Sequence, residues 1–363
     1  MNPGTILMKQ SSMKNMFDAL THRGMVRDNN EDCWMAQTIW NDSFLLCGVI
    51  DGMGGYEGGE VAAEIARTTI IDEVVTHEAA DNILMVLEAA VVKANNAIVE
   101  HKMKHADVGH MGCVATVGIL DLNENQLFLA HVGDTRLYQF HQNVLQKLTF
   151  DHSIVGQKED SGVLTEEEAM SDPERNIVTK SLGFERLAVH DADYLDLGVF
   201  PLQPGTQLLF CSDGLYDMVT SREISSVLQQ ETGVHEKSRQ LIDLANECGG
   251  KDNVTVVLVQ LFQSDSSNEG DATTVPTEGA ERTSKELDTA REDAEEKHCS
   301  PKVGEEAEAN VNGDEKKNDD DVLPQARKGW RHVKTGRGLL ALVAIVAFAL
   351  GVLVGYLLKV FVF

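Results

Sequence analysis

Six short segments of this sequence each place an acidic side chain beside glycines or next to an apolar run, and they hold the residues best suited to chemistry. The segments are 27–32 (RDNNED), 51–55 (DGMGG), 133–136 (GDTR), 149–152 (TFDH), 212–214 (SDG) and 251–253 (KDN). Hard divalent cations such as Mg²⁺ and Mn²⁺ prefer oxygen ligands, mainly carboxylates and water. A chain that returns repeatedly to an aspartate at a strand end is therefore typical of one that assembles a shared metal centre.

Four positions supply the candidate ligands of this centre. Asp51 follows the apolar run 44–50 and precedes a glycine-rich stretch. Because glycine lets the backbone come close to an ion, Gly52 could offer its carbonyl oxygen while Asp51 bridges two cations. Asp213 lies just after one predicted strand and Asp252 just before another, as ligands on a rigid frame would.

Three more positions, close together in the sequence, complete the candidate site. Glu31 and Asp32 could hold metal-bound waters, and Arg27 supplies a guanidinium fork that suits bidentate contact with phosphate. Two ionised carboxylates about 4 Å apart repel each other by roughly 4 kcal/mol at an effective dielectric near 20, so such a cluster needs cations. A single Asp-Gly pair is more often a turn than a ligand, but six acidic segments in one chain favour the metal centre.

The apolar pattern predicts an α+β domain. Short apolar or alternating runs predict strands at 44–50, 113–120, 126–132, 137–140, 207–211 and 254–262. Helical spacing predicts helices at 58–77, 82–104, 221–230 and 236–247. Because short turns join neighbouring strands, antiparallel sheets with helices outside them are favoured over a parallel barrel. Residues 159–183 are predicted to form a loop or flap, with a helix start at Thr165.

The composition argues against a nucleic-acid partner. The chain has 363 residues, 42% of them hydrophobic, which is enough for at least one substantial core. Its formal net charge of −27 would repel a phosphate backbone. The cysteines form no C-x-x-C pair and several lie in apolar runs, which favours reduced thiols in a reducing compartment.

The C-terminal residues predict a single-pass membrane anchor. Residues 338–358 contain no charged side chain, and as a helix they would span about 31 Å, close to the hydrocarbon core of about 30 Å. Their apolar character on all sides disfavours the alternative, a buried core helix. The basic segment 327–337 precedes them, so the positive-inside rule keeps the rest of the chain in the cytoplasm. Gly351 and Gly355 form a G-x-x-x-G pattern that could support a weak dimer.

The other boundaries follow from composition. Residues 1–14 are assigned as an N-terminal extension and residues 15–263 as the folded domain. Residues 264–326 are rich in Glu, Asp, Ser and Thr, and such a segment cannot bury enough apolar surface to offset its ordering entropy. They are predicted to form a disordered acidic linker, either an inert spacer or a regulatory one.

Over residues 24–259, the six segments resemble in order and approximate spacing the metal-dependent serine/threonine phosphatases of the protein phosphatase 2C type. The resemblance implies a four-layer α-β-β-α sandwich, in which helices flank two antiparallel sheets and the metals lie at one edge. It implies that Asp51 is the bridging ligand, Gly52 the carbonyl ligand, and Asp213 and Asp252 ligands of the first metal.

The same resemblance implies roles for the remaining candidates. Asp134 matches the aspartate that, together with Asp213, holds a third and weaker metal in bacterial relatives. Arg27 matches the phosphate-binding arginine, and Glu31 and Asp32 match the acidic pair near the second metal. The implied cofactors are two tightly bound Mn²⁺ or Mg²⁺ ions and a third, weaker one, and both metals stay open because they accept the same oxygen ligands.

The implied activity is hydrolysis of phosphoserine and phosphothreonine in proteins. A water that bridges the two ions would attack phosphorus in line, while the metals and Arg27 stabilise the developing charge. Met53 stands where many eukaryotic relatives have a histidine, and the DGMGG form resembles bacterial members that work without that histidine. By the same resemblance, His152 is expected to be structural, and Arg136 is expected to brace the fold or the metal loop.

Two other classes of protein remain open from the sequence. A catalytically inactive scaffold that binds phosphoproteins would be favoured if Asp51, Asp213 or Asp252 were replaced, but all three are present. A metal-dependent hydrolase of small phosphoesters is the second, although the chain lacks the glycine-rich Lys-Ser/Thr loop of nucleoside triphosphate sites. The expected partners are phosphorylated proteins, the products of a cognate serine/threonine kinase, and the membrane.

Overall fold

The computed structural model describes residues 16–54, 58–79, 81–105, 110–191 and 194–261. Within them the strands are β1 (Phe17–His22), β2 (Asp32–Ile39), β3 (Phe44–Gly54), β4 (Met111–Asp121), β5 (Gln126–Val132), β6 (Arg136–His141), β7 (Val144–Lys147), β8 (Asp196–Pro201), β9 (Gln207–Cys211) and β10 (Val254–Gln260). The helices are α1 (Gly58–Val75), α2 (Ile83–Lys104), α3 (Ile154–Asp160), α4 (Glu166–Ser171), α5 (Asp213–Tyr216), α6 (Ser221–Leu228) and α7 (Val234–Glu247).

The strands form two five-stranded sheets. Sheet A has the order β1-β10-β9-β6-β7, and sheet B has the order β2-β3-β4-β5-β8. Every pairing between these strands is antiparallel. The predicted antiparallel architecture is therefore confirmed.

Three apolar clusters show that these elements form four layers. Alternate residues of β3 point to opposite faces of sheet B, so Leu45 and Val49 pack with Phe210 and Val257 between the two sheets. The intervening residues of β3 pack against α1 and α2 on the outer face of sheet B. A third cluster joins the outer face of sheet A to α6 and α7. The resulting order is helix, sheet, sheet, helix.

The structure corrects some of the predicted elements. Strand β3 does not end at residue 50 but continues to Gly54, because residues 51–54 pair with residues 111–114 of β4. Asp51 therefore lies inside a strand rather than after one. The sequence pattern also missed two short helices, α3 and α5, and four strands, namely β1, β2, β7 and β8. The predicted helix start at Thr165 is confirmed, because Thr165 caps α4 in a reciprocal capping box with Glu168.

Several predicted segments lie outside the described residues. They are the extension 1–14, the linker 264–326, the basic segment 327–337 and the span 338–358 with Gly351 and Gly355. Among the residues that are described, no helix combines the length and the apolar character needed to cross a bilayer.

Candidate active site

The candidate site begins with a pair of aspartates on neighbouring strands. Asp32 opens β2 and lies directly opposite Asp51 of β3 in the antiparallel register. The negative charge of Asp32 acts directly on Asp51. Like charges directly opposite each other destabilise a sheet. Repulsion between these two carboxylates therefore destabilises the sheet locally, and a nearby cation would remove that repulsion.

Two further aspartates come from the turns that follow β5 and β9. Asp134 lies between β5 and β6 and is only 5% exposed. Asp213 directly follows Ser212 after β9 and starts α5. The charges of Asp32, Asp213, Asp134 and Asp252 all act on Asp51. The structure therefore brings the five predicted aspartates together, and we refer to them below as the aspartate cluster.

Burial, and after it repulsion from nearby carboxylates, raises the pKa values of four members of the aspartate cluster. Burial, followed by the charges of Asp32 and Asp213, raises the pKa of Asp51 well above its usual range. Burial, followed by the charges of Asp217 and Asp134, does the same to the pKa of Asp213. Burial is also the main reason that the pKa of Asp134 rises to about 7 and that of Asp32 to about 6. Such a group of mutually perturbed carboxyls is typical of a functional site.

Arg27 approaches the aspartate cluster from the solvent side. Its Nη2 donates a hydrogen bond to Asp252 Oδ2 at 2.6 Å, and 46% of its side chain is exposed. Burial alone would lower the pKa of Arg27, but the charge and the hydrogen bond of Asp252 outweigh it and raise that pKa. The guanidinium is therefore anchored on a carboxylate while part of it stays open to a ligand.

A buried amide holds the Arg27 segment against Asp252. Asn253 Oδ1 accepts from the Glu31 N–H at 2.8 Å, and its Nδ2 donates to two carbonyl oxygens of residues 23–29 at 2.8 and 3.0 Å. The Asn253 N–H donates to Asp252 Oδ1 at 2.8 Å. Asn253, which is 5% exposed, thus positions Glu31 and the segment that carries Arg27 through its side chain, and Asp252 through its backbone N–H.

Two glycines allow the start of α1 to approach the end of β3. A Cβ at Gly52 would lie 2.2 Å from the Gly59 carbonyl oxygen and 2.5 Å from that of Glu31. A Cβ at Gly59 would lie 2.6 Å from Glu31 Oε2. Any other residue at either position would therefore push these elements apart. The contact also places the Glu31 carboxylate beside the N-terminus of α1, where the helix dipole favours a negative charge.

Among the residues that the structure describes, two carboxylate oxygens of the cluster are buried without a hydrogen-bond partner, Oδ1 of Asp32 and Oδ1 of Asp213. Burying an unpaired acceptor is costly, and such oxygens are what a hard cation binds. Within the described residues, no group of three or more His, Cys, Asp or Glu side chains is arranged so that it could hold a metal ion as it stands. The residue types present nevertheless fit such a cation, because carboxylate oxygens are the donors that Mg²⁺ and Mn²⁺ prefer.

Arg136 supports Asp134 from inside the fold. It is 3% exposed, its Nη2 donates to Asp151 Oδ2 at 2.7 Å, and its guanidinium lies 3.6 Å from the ring centroid of Tyr216. The Tyr216 hydroxyl in turn donates to the Asp134 carbonyl oxygen at 2.9 Å. Arg136 thus braces the loop that carries Asp134, which agrees with its expected role.

His152 holds the residue that precedes Asp134. Its Nδ1 accepts from the Gly133 N–H at 3.0 Å, and its backbone N–H donates to the Gly133 carbonyl at 2.6 Å. Since Nδ1 is an acceptor, the neutral ring carries its proton on Nε2, which lies 3.3 Å from Asp196 Oδ2. Both nitrogens are therefore occupied, and this arrangement suits the structural role expected for His152.

Sequence reasoning missed three polar residues that contact the cluster. Ser212 and Thr255 each donate a hydroxyl hydrogen bond to Asp32. Asp217 forms an ion pair with Arg175 and contributes the largest charge effect on Asp213. The i, i+4 spacing of Asp213 and Asp217 was a usable signal. Serine and threonine give no comparable signal, because their hydroxyls serve so many ordinary structural roles.

Comparison with known proteins agrees with this geometry. The family model for protein phosphatase 2C matches residues 22–254. The serine/threonine phosphatase stp of Listeria monocytogenes serotype 4b (strain F2365) is 34% identical over 244 residues, which cover 66% of this chain and 93% of the Listeria protein.

Two solved structures each resemble about two thirds of the chain. The serine/threonine phosphatase PstP/Ppp of Mycobacterium tuberculosis is 33% identical with a TM-score of 0.60, covering 68% of this chain and 98% of that one. The catalytic domain of a phosphatase PstP, solved in complex with two manganese ions, is 32% identical with a TM-score of 0.58, again covering 68% and 98%. This chain belongs to the protein phosphatase 2C family. It is an enzyme of the serine/threonine protein phosphatase class.

Proposed function

We propose that the chain hydrolyses phosphoserine and phosphothreonine in proteins at the aspartate cluster, with Mn²⁺ or Mg²⁺ as cofactor. The proposal rests mainly on one observation. Carboxyls from both sheets are buried together, so that burial and then their mutual charges raise the pKa values of Asp51 and Asp213, while two buried oxygens of the cluster lack any donor among the described residues. Bound divalent cations would remove the repulsion between the carboxyls and would give the unpaired oxygens a partner. The two manganese ions of the related PstP catalytic domain support the choice of metal.

The proposed ligands are those that the sequence analysis named. Asp51 would bridge two cations, with the Gly52 carbonyl, Asp213 and Asp252 completing their protein ligands. Glu31 and Asp32 would act at the second cation.

A third, weaker cation is proposed between Asp134 and Asp213. These two carboxyls are already electrostatic neighbours in the structure. When bound, the cations would lower the pKa of a water molecule and neutralise charge on the phosphate.

The chain's own residues would bind and orient the substrate. The exposed part of the Arg27 guanidinium can donate to phosphate oxygens while its Nη2 stays on Asp252. Asp252 therefore fixes the direction from which Arg27 meets the phosphate. Met53 has no proton to donate to the leaving group, so a solvent molecule would have to protonate the departing serine or threonine oxygen.

The direct test is release of phosphate from a phosphothreonine peptide by the purified full-length chain, with Mn²⁺, with Mg²⁺ and with EDTA. We expect turnover that EDTA abolishes. Asp213→Asn keeps the size of the side chain but removes a charged ligand, so we expect it to lower the rate by roughly 100-fold. Asp243→Asn on the exposed face of α7 is the matched control and should leave the rate unchanged.

Turnover that survives EDTA, or that Asp213→Asn leaves intact, would contradict the proposed centre. A folded chain that binds phosphopeptides without any turnover would instead be the inactive scaffold that the sequence left open. A panel of small phosphoesters in the same assay tests whether the chain is instead a hydrolase of small phosphoesters. Such an enzyme would hydrolyse those substrates faster than the peptide.

We further propose that residues 338–358 anchor the enzyme to the cytoplasmic face of a membrane, and that its substrates are products of a serine/threonine kinase. The anchor is supported by the uncharged length of this segment and by the basic residues that precede it. The kinase is supported by the chemistry alone, because phosphoserine and phosphothreonine in proteins require one.

Membrane fractionation tests the anchor. The full-length chain should sediment with membranes, resist extraction by salt, and be released by detergent. A chain shortened to residues 1–337 should stay in the supernatant and keep its phosphatase activity. Release of the full-length chain by salt alone would show that it is held by charge, and would contradict a spanning segment.

A further inference from the structure

Two buried hydroxyl groups donate hydrogen bonds to the same oxygen of Asp32. Ser212 Oγ donates to Asp32 Oδ2 at 2.8 Å, and Thr255 Oγ1 donates to the same oxygen at 2.6 Å. Ser212 and Thr255 are both fully buried, and Asp32 is 7% exposed. The other carboxylate oxygen of Asp32, Oδ1, is buried and has no hydrogen-bond partner within the described part of the chain. We call the two hydroxyls and Asp32 Oδ2 the hydroxyl clamp.

The direction of each hydrogen bond around Thr255 follows from its one hydroxyl hydrogen. Because that hydrogen goes to Asp32, Thr21 must be the donor in the 2.7 Å contact between Thr21 Oγ1 and Thr255 Oγ1. Asn30 Nδ2 then donates to Thr21 Oγ1 at 2.8 Å. The chain of hydrogen bonds therefore runs one way, from the Asn30 amide through Thr21 and Thr255 to the Asp32 carboxylate.

The Ser212 side of the clamp is equally well ordered. Ser212 Oγ accepts from the Thr255 N–H at 3.0 Å, and the Ser212 N–H donates to the Thr255 carbonyl at 3.1 Å. The two hydroxyls are thus fixed to each other by backbone hydrogen bonds between β10 and the residue that follows β9. A carboxylate that accepts two hydrogen bonds on one oxygen has little freedom to rotate.

The clamp also joins the two halves of the sandwich. Asp32 belongs to sheet B, whereas Thr255 belongs to β10 of sheet A and Ser212 directly follows β9 of the same sheet. Asp51, the cross-strand neighbour of Asp32, also lies in sheet B, and Asp213 follows Ser212. The clamp therefore sets the position of carboxylates from one sheet relative to those from the other.

We propose that the Ser212 and Thr255 hydroxyls are positioning groups for cation binding: they fix Asp32 Oδ2 so that Oδ1 is presented to the aspartate cluster. This inference rests on the proposed metal centre and assigns to it two residues that carry no charge. Neither hydroxyl would touch the substrate. Their effect would be on the affinity for the cation, because a ligand whose outer partner is removed must be ordered by the ion itself.

Thr255→Val tests the clamp, because valine keeps the β-branched shape and lacks the hydroxyl. We expect the Mn²⁺ affinity of the purified full-length chain, measured by isothermal titration calorimetry, to fall about tenfold or more. Thr255→Ser restores a hydroxyl at the same position and should recover most of the affinity. A merely structural role for Thr255 would not make Mn²⁺ affinity follow the hydroxyl in this way.

Thr21→Val is the matched control. This substitution removes the Thr21 hydroxyl that contacts Thr255, but the hydrogen bond from Thr255 to Asp32 stays in place. Its Mn²⁺ affinity should fall far less than that of Thr255→Val, because the hydrogen bond that reaches Asp32 is kept. If circular dichroism shows that Thr255→Val does not fold, Ser212→Ala takes its place, because it removes the second hydroxyl of the clamp. We expect Ser212→Ala to weaken Mn²⁺ binding as well.

The outcomes separate this inference from the function on which it rests. A wild-type chain that binds no Mn²⁺ would overturn the metal centre and the clamp together. Wild-type binding that is unchanged in folded Thr255→Val, or in folded Ser212→Ala where that variant replaces it, would overturn the clamp alone and leave the metal centre standing. Loss of affinity in Thr255→Val that Thr255→Ser does not recover would also count against it, since packing rather than the hydroxyl would then be responsible.

Discussion

At the scale of single residues, the geometry separates two kinds of arginine in one fold. Arg136 is 3% exposed, is bound by Asp151 and Glu159, and stacks on Tyr216, so its donors are spent inside the protein. Arg27 has one carboxylate partner and is 46% exposed on its side chain. Only the second kind can meet a substrate. A guanidinium held by one carboxylate keeps several N–H donors for a phosphate.

Arg27→Lys is expected to lower kcat/KM for a phosphothreonine peptide by about tenfold, mainly through a higher KM, because an ammonium cannot make a bidentate contact with phosphate while still reaching Asp252. Steady-state kinetics on the full-length chain measures both parameters. Arg239→Lys on α7, where the arginine is 57% exposed and paired with Glu236, is the control. Equal kcat/KM values in Arg27→Lys and the control would remove Arg27 from the site.

The residues of the site differ in how visible they were in the sequence. Asp51 and Asp213 could be named because a carboxylate beside glycine at the end of an apolar run is an unusual local pattern. Thr255 could not be named, because it is one more β-branched residue within an apolar strand and reads as core. Its role depends on Asp32, 223 residues away in the chain. Contacts of that range are set by the pairing of the sheets, which no local pattern contains.

At the scale of elements, the burial of each strand determines whether the sequence pattern predicted it. Strands β3, β4, β9 and β10 are mostly buried, and each appears in the sequence as a mainly apolar run. The four missed strands, β1, β7, β2 and β8, are the four edge strands of the two sheets. An edge strand has one neighbour and is partly exposed, so its apolar signal is weak. Sequence patterns therefore predicted the centres of both sheets and missed their borders.

Helix α7 contains a buried lysine, Lys237, whose position could not be predicted from the sequence. Lys237 is 2% exposed, and its Nζ donates to the Leu228 carbonyl at 2.8 Å and to Gln207 Oε1 at 3.0 Å. Leu228 is the last residue of α6, where unpaired carbonyls and the helix dipole favour a positive charge. Burial lowers the pKa of Lys237. A lysine on an amphipathic helix usually lies on the solvated face, so its position can be found only from the packing of α6 against α7.

At the scale of the whole molecule, charge is the dominant feature. The chain carries a formal net charge of −27, and the aspartate cluster concentrates negative charge inside the folded domain. Two divalent cations would add four positive charges where the carboxyls are densest. Without them, the folded state can reduce the repulsion by taking up protons, which links its stability to pH.

The sign of that link follows from the pKa values. In the folded, metal-free chain the pKa of Asp134 is raised to about 7 and that of Asp32 to about 6, from an ordinary value of 3.8. The folded state therefore holds these protons more tightly than the unfolded state. Their contribution to the free energy of unfolding is fully present below about pH 4 and is lost as the pH rises through about 6 to 7.

Mn²⁺ should therefore stabilise the chain more at high pH than at low pH, because at low pH it must displace protons that already relieve the repulsion. We expect the rise in Tm on adding saturating Mn²⁺ to an EDTA-treated sample to be larger by several degrees at about pH 7.5 than at about pH 5.5, since 1 kcal/mol shifts Tm by roughly 2–4 °C in a domain of this size. His131 has a pKa lowered to about 4 by burial and opposes this trend in each sample. It does so with and without Mn²⁺, so it cancels in the difference. A shift in Tm that is equal at both pH values, or larger at about pH 5.5, would mean that Mn²⁺ binds away from these carboxyls.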